Sequence, residues 1–403
     1  MNKPFAIFLF AHSLGYSCFF LRIIFVGWYV LEKTDSLFLV GLLSSIPVFI
    51  FPLGSIYGGK FADALSRKLV VVIARTSEFI LLFLTALFIN LEIYPLISIG
   101  VISFFYGISN GIGAPSRINM IIDILGRENL SKGNSFSELV ASIASAVLPL
   151  IASLLLNILT IEEIFWILPF FTLLGALAFY ILYFLLPDQK KSKEGFNKFS
   201  LTDAILYAFK DKNIAPILTL AICMIVGALL QPLIPSYSRD NLGLDGSSYT
   251  LLQSVNFLGA ILGSITLLKF GNRIISGKFM SLWMILFSGF IFIFFSINNP
   301  IIAGISLLLA NLFNAIWITS IWTSLQTFSD EKFVGRVVSI VTISFGISGF
   351  FYMLGGFLGD FIGVYPTMLI ACLLIVAINL LAVSYTHLRA HETSLHLVCR
   401  LLL

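Results

Sequence analysis

The chain has 403 residues, of which 59% are hydrophobic and only 11% charged, with a formal net charge of +4 and a mean hydropathy of +1.02. Soluble domains carry about 25% charged residues, so a water-facing surface cannot be built from this alphabet and lipid is the expected solvent. A strand-built barrel is excluded too, because the apolar runs lack two-residue alternation and approach the ~20 residues that a helix needs to cross hydrocarbon.

Taken in chain order, apolar runs fall at about 5–31, 37–58, 69–89, 94–115, 134–158 and 164–186, then 214–237, 248–269, 279–297, 300–325, 334–357 and 365–383. The first run follows Lys3 like a signal peptide, but it reaches Leu31 without a small-residue cleavage site and is expected to stay as a spanning helix. Twelve crossings with the amino terminus in the cytoplasm put 18 cations on that side: Lys3, Lys60, Arg67, Lys68, Arg117, Arg127, Lys132, six lysines between 190 and 212, Lys269, Arg273, Lys278, Lys332 and Arg336. Only Lys33 and Arg239 fall on the other side, an asymmetry that predicts a multi-pass cell-membrane protein of that orientation.

The one long polar connection, 188–213, divides the chain into six-helix sets at 1–187 and 214–383. Its lysines read as a solvated loop facing anionic lipid, so no nucleic-acid partner is expected. After Val383 the text changes to SYTHLRAHETSLHLVCRLLL, which resembles the translation of a sequencing adapter and is expected to be a non-native tail over 384–403. His387, His391 and His396 within it carry no functional expectation. The four cysteines have no paired spacing, and neither a metal site nor a cofactor is expected.

Between the second and third runs the chain reads Gly58, Gly59, Lys60, Phe61, Ala62, Asp63, Ala64, Leu65, Ser66, Arg67, Lys68. A glycine, an aspartate four residues on and then a basic pair resemble motif A of the major facilitator superfamily, in the loop where that family carries it. The resemblance implies an all-α membrane fold of two six-helix bundles, with Asp63 pairing Arg117 and sitting near the start of the eleventh helix around Val334. Ser66 and Ala64 depart from the usual glycine and basic residue, which weakens the implied clasp. A decayed copy at Gly271, Asn272, Arg273, Gly277 and Lys278 points to internal duplication.

Trp28 to Gly41 (WYVLEKTDSLFLVG) and Gly335–Arg336 resemble the drug and siderophore exporter branch, which includes enterobactin and macrolide efflux proteins. That branch implies proton-coupled efflux of amphipathic small molecules by a monomer. Its motif C would fall at Ala144, Leu148, Pro149, Ala152 and Ser153, where only the proline matches. The small residues read equally as ordinary close packing around Pro149 and Ala152.

Charges inside spanning helices are costly, so each one is a hypothesis. Arg75 and Glu78, spaced i, i+3, read as an intrahelical pair, with Glu78 also a proton-coupling candidate. Arg22 has no acid within a turn; it meets an anionic solute group, pairs with Glu138, or snorkels to the interface. Glu138 reads either as a buried carboxylate that exchanges a proton or as an interfacial group paired with Lys132 or Arg127. If helices one, four, seven and ten line the path, as the resemblance implies, the cavity set is Arg22, His12, Tyr16, Asn110, Gln231, Asn311, Asn314 and Trp317.

No phosphate loop, HExxH or nucleophile elbow is present, so an enzyme is not expected. The expected function is secondary transport of a small molecule on a proton gradient. An uncoupled facilitator or importer, and a sensor or assembly protein on the same scaffold, are the alternatives.

Overall fold

Hydrocarbon supplies no hydrogen-bond partners, so a crossing segment must satisfy its backbone within itself, which a helix does and an isolated strand does not. The computed structural model follows that rule. It describes residues 2–187, 211, 214–274, 277–328 and 334–401, and for Gly59, Lys60, Ala62–Ala64, Arg127, Leu130–Lys132, Gly271–Gly277, Gln326, Val334–Thr342 and the tail from 383 the side chains lie outside the described residues.

The first set comprises α1 (Lys3–Thr34), α2 (Leu37–Ala64), α3 (Arg67–Asn90), α4 (Pro95–Leu125), α5 (Leu130–Leu155) and α6 (Ile167–Leu185). The second comprises a broken helix, α7a (Ile214–Gly227) and α7b (Leu233–Asp240), then α8 (Gly246–Ile274), α9 (Gly277–Phe294), α10 (Pro300–Phe328), α11 (Val334–Ile362) and α12 (Val364–Leu401). Among the described residues ten helices are long and apolar enough to span a membrane, the bent pair α7a/α7b makes an eleventh, and α9 is a shorter apolar helix between α8 and α10. The protein is therefore an all-α, multi-pass membrane protein.

Side-chain caps set the starts of several helices. Asn2, Ser36 and Ser66 accept the amides of Phe5, Leu39 and Leu69 at the starts of α1, α2 and α3. Asp245 begins α8 by accepting the Ser248 amide at 2.9 Å, and its bonds to the Ser248 hydroxyl and amide hold its carboxyl below the usual range. The run read from sequence as one helix over 214–237 differs: it bends by 40° where Pro232 supplies no N–H. Gln231 turns its amide to Ala228 O (3.3 Å) instead, leaving its side chain exposed at the break.

Within the first set α1 packs on α5 and α6, α4 on α2 and α3, and α3 on α6; within the second α10 packs on α8 and α9, and α12 on α7a and α9. Two extensive pairs join the sets, α2 with α11 and α5 with α8, and α1 also touches α7b and α8. We call the end bearing the α1–α2 connection upper and the end bearing the α2–α3 connection lower. Glycines make the α2–α11 contact intimate: a Cβ on Gly41 would strike Tyr352 O, and one on Gly356 would strike Leu37 O. On α5, Ser145 meets Ser17 of α1 (3.1 Å), while Ala146 O accepts from Ser254 of α8 (2.6 Å). Pro149 and Ala152 lie buried on this same small-residue helix.

Gly259 and Gly289 give a matched test of packing. A Cβ at Gly259 would overlap Leu308 O of α10, whereas one at Gly289 would meet nothing within 4 Å. Gly259→Val is expected to cost about 1–3 kcal/mol through overpacking. In detergent-solubilised protein followed by intrinsic fluorescence, it should lower the melting temperature, and Gly289→Val should leave it within error of the parent.

Candidate functional site

Residues from both sets enclose a cavity of about 160 Å³ beneath the upper end. The first set supplies Phe20, Ile23 and Gly27 of α1 with Val40 and Ser44 of α2; the second supplies Gln231 at the helix break, Tyr249, Gln253, Asn256 and Phe257 of α8, Asn311 and Asn314 of α10, and Tyr352 of α11. Five carboxamides thus converge on one small volume. Four of them are linked, since Asn256 Nδ2 donates to Gln253 Oε1 (3.2 Å), Asn311 Nδ2 to Asn256 O (2.9 Å) and Asn314 Nδ2 to Asn311 Oδ1 (3.4 Å). An amide both donates and accepts, so this lining can pair with either kind of group on a neutral solute.

Above the cavity the sets are stapled together. Trp28 stacks on Tyr249 with ring centroids 4.8 Å apart, and its indole N–H donates to Glu32 (2.7 Å). Arg239 of α7b pairs with Asp35 (2.7 Å) and donates to Leu31 O (3.2 Å), and Ser247 donates to Ser153 O (2.9 Å). Below it, Phe8, His12, Tyr16 and Phe20 form a ladder of rings at i, i+4 spacing along α1, with centroid steps of 5.6, 6.2 and 5.0 Å, and Phe20 crosses to Phe257 at 5.6 Å. His12 and Tyr16 are half-buried, and Glu138, within electrostatic reach of Tyr16, is exposed at the lower end of α5.

The residues singled out from sequence separate into three places. Gln231, Asn311 and Asn314 line the cavity, and Tyr16 and His12 stand in the ladder beneath it. Arg22, Asn110 and Trp317 lie elsewhere, buried in the cores of their own sets. Arg22 donates to Ser103 and lies over the Tyr106 ring at 5.5 Å; it neither reaches Glu138 nor snorkels, because its stripe on α1 faces α4. Gln253, Asn256 and Tyr249 were missed in the sequence because α8 lies outside the helices one, four, seven and ten assumed to line the path. Their spacing, 249, 253, 256, is nonetheless a polar stripe on one helix face.

Glu78 is the centre of a second buried group. Arg75 donates to it at 2.5 Å, and Arg117 of α4 approaches it at 3.5 Å, an ion contact longer than a hydrogen bond. The pair read as intrahelical is therefore part of a triad across α3 and α4. Arg117 also donates to the carbonyl and side-chain oxygen of Asn110 (3.0 and 3.3 Å). The Arg75 guanidinium lies against Gly15 of α1, where any Cβ would collide with it, and over the Phe179 ring at 5.8 Å. Two cations thus flank one anion at under a tenth exposure.

At the lower end, Arg67 pairs with Asp123 of α4 (2.9 Å), and Lys68 donates to Leu186 O (2.9 Å) with Tyr183 beneath it. These two bind α3 to the carboxyl ends of α4 and α6, where a cation complements the helix dipole. The side chains of Gly59 and Asp63, the remaining motif residues, lie outside the described residues. Among the described residues no group of three or more potential ligands could hold a metal ion.

Among the described residues, ten apolar helices, a bent pair and one shorter apolar helix surround a polar cavity, which is the architecture of a solute-transporting membrane protein. The chain belongs to the Major Facilitator Superfamily, whose family model matches residues 6–353. No curated protein matches the sequence. Among solved structures it is similar to nucleoside transporter NupG, at 15% identity and a TM-score of 0.71, covering 95% of this chain and 99% of that one. It is also similar to a POT family transporter in complex with 5-aminolevulinic acid, at 14% identity and a TM-score of 0.75, covering 96% of each chain. An auto inhibited POT family peptide transporter matches at 11% identity and a TM-score of 0.74, covering 96% of this chain and 97% of that one.

The triad makes a direct prediction about stability. Removing one partner of a buried ion group leaves charge uncompensated, at about 3–5 kcal/mol. Glu78→Gln is expected to show that loss as a lowered unfolding midpoint in detergent, whereas Arg67→Gln, at the half-exposed lower rim, should cost about 1 kcal/mol or less.

Proposed function

We propose that this chain is a secondary exporter that moves a neutral, amphipathic small molecule by alternating access, with Glu138 exchanging the coupling proton. The observation that carries the reading is the cavity between the sets, five carboxamides and four aromatic rings beneath a stapled upper end. Carboxamides hold a solute by hydrogen bonds without demanding a charge, and the Phe20, Phe257, Tyr249 and Tyr352 rings take its apolar part. If the lower ends lie in the cytoplasm, as the Lys and Arg asymmetry of the sequence favours, the stapled end faces outward, and the ring ladder and Glu138 lie on the cytoplasmic side of the cavity.

Glu138 suits a coupling role because it is a carboxylate placed on the approach rather than locked in the buried triad. A proton taken up there would neutralise the acid within electrostatic reach of Tyr16 and change how that side of the cavity treats a passing solute. Glu78, the other candidate, is already engaged by Arg75 and Arg117, so we assign it a structural part. The 188–213 linker, by this reading, joins two bundles that rock as units.

A second reading has specific support. A carboxamide-rich cavity also suits a heteroatom-rich polar solute, and the similar structures include a nucleoside transporter and a POT family peptide transporter. Uptake of such a solute would share the cavity and reverse the direction.

Direction and coupling are read together in cells expressing the chain. A panel of lipophilic dyes, siderophores and nucleosides should show lower accumulation of at least one member than in empty cells, abolished by a protonophore. Glu138→Gln should remove the gradient effect and its pH dependence, and Asn256→Ala should weaken export about tenfold, through one lost hydrogen bond and an unpaired neighbour. Raised accumulation would support the uptake reading, and equal accumulation across the panel would defeat both.

A further inference from the structure

The upper seal contains one contact of a different kind from the stacks and ion pairs around it. Asp360, near the carboxyl end of α11, accepts three hydrogen bonds from the first turn of α2: the Leu37 amide (2.8 Å), the Phe38 amide (2.9 Å) and the Ser36 hydroxyl (2.9 Å). Ser36 is itself the cap of that helix and accepts from Leu39 N. The first four amides of any helix lack partners within it, and the macrodipole places partial positive charge there, so a carboxylate is the group that best satisfies them. Here that carboxylate comes from the other set.

We propose that Asp360 is a gating residue: its carboxylate, capping α2 across the interface, latches the upper end shut and must be withdrawn for the cavity to open there. The backbone is built to deliver it. Gly356 and Gly359 let α11 lie against Leu37, since a Cβ on either would strike the Leu37 carbonyl or side chain. Because α2 and α11 run antiparallel, the carboxyl end of α11 lies beside the start of α2.

The nearby Arg239–Asp35 pair belongs to the same seal but is a weaker hold. The Asp35 side chain is 78% exposed, and a solvent-screened pair contributes little. Asp360 is exposed as well, but its bonds differ in using backbone amides that have no partner inside their own helix, so their loss leaves the Leu37 and Phe38 amides unpaired while Ser36 still caps Leu39.

The proposal rests on the transport reading only in requiring the two sets to move, and its test needs no solute. Spin labels at Tyr94→Cys and Asn299→Cys sit on exposed upper connections of the two sets, and Cys399 is replaced by serine while the thiols of Cys18, Cys223 and Cys372 are buried. In nanodiscs, the parent should give a short distance, and Asp360→Ala should raise the ratio of long to short distances about tenfold. Asp360→Asn, which keeps the shape but not the charge, should fall between them, and Asp35→Ala should shift the ratio less than Asp360→Asn does. A single short distance in Asp360→Ala overturns the proposal. If that variant fails to insert, the pair Ser36→Cys with Asp360→Cys decides: oxidation that holds the short distance and reduction that releases it supports the latch, and failure to cross-link refutes it. A latch that passes while no solute moves would leave the gate standing and remove the exporter.

Discussion

Every feature of this protein follows from hydrocarbon having nothing to offer a polar atom. Helices answer the demand for the backbone, and the places where helices open or break are where the answer must come from elsewhere. Pro232 breaks α7 and leaves Gln231 facing the cavity, and the unpartnered amides that begin α2 are met by Asp360 from the second set. The same constraint makes the Arg75–Glu78–Arg117 group expensive to assemble and expensive to lose. It holds α3 against α4, with Gly15 of α1 cleared to make room for a guanidinium.

The two sets use this constraint differently. Buried charge among the described residues concentrates in the first, where Arg22, Lys68, Arg75, Glu78 and Arg117 are all under a tenth exposed. The second contributes the carboxamides, which are neutral and face the cavity. Buried ions permit few arrangements, whereas amides exchange partners at small cost, which suits a surface that must hold a solute and then release it.

How much of this was legible in the sequence varies with the length scale of the signal. The crossings were, because a 20-residue apolar requirement leaves a mark that single substitutions cannot erase, and the Lys and Arg alternation counts them a second time. The break in α7 was written as Pro232 and Pro235 but was absorbed into one apolar run, since apolarity does not report where a missing N–H falls. For the cavity, choosing helices by resemblance found Gln231, Asn311 and Asn314 and passed over Gln253 and Asn256. Choosing by polar stripe on each helix would have found both. Arg22, Asn110 and Trp317 went astray for the converse reason: polarity in a spanning helix marks the need for a partner, and the partner can lie within the bundle as well as along the path.

The Asp360 contact could not have been read from the sequence by either route. An aspartate two residues from the end of an apolar helix looks like an ordinary interfacial charge, and a Ser-Leu-Phe start looks like an ordinary cap. Only the antiparallel pairing of α2 with α11 brings the end of one to the beginning of the other, and that pairing is set by glycines at Gly41, Gly349 and Gly356 that clear the backbone for close approach. Small residues therefore do more here than pack helices. By bringing two backbones together they place a carboxylate from one set within reach of amides that the other set cannot satisfy by itself. The strength of that contact depends on the relative position of the two sets.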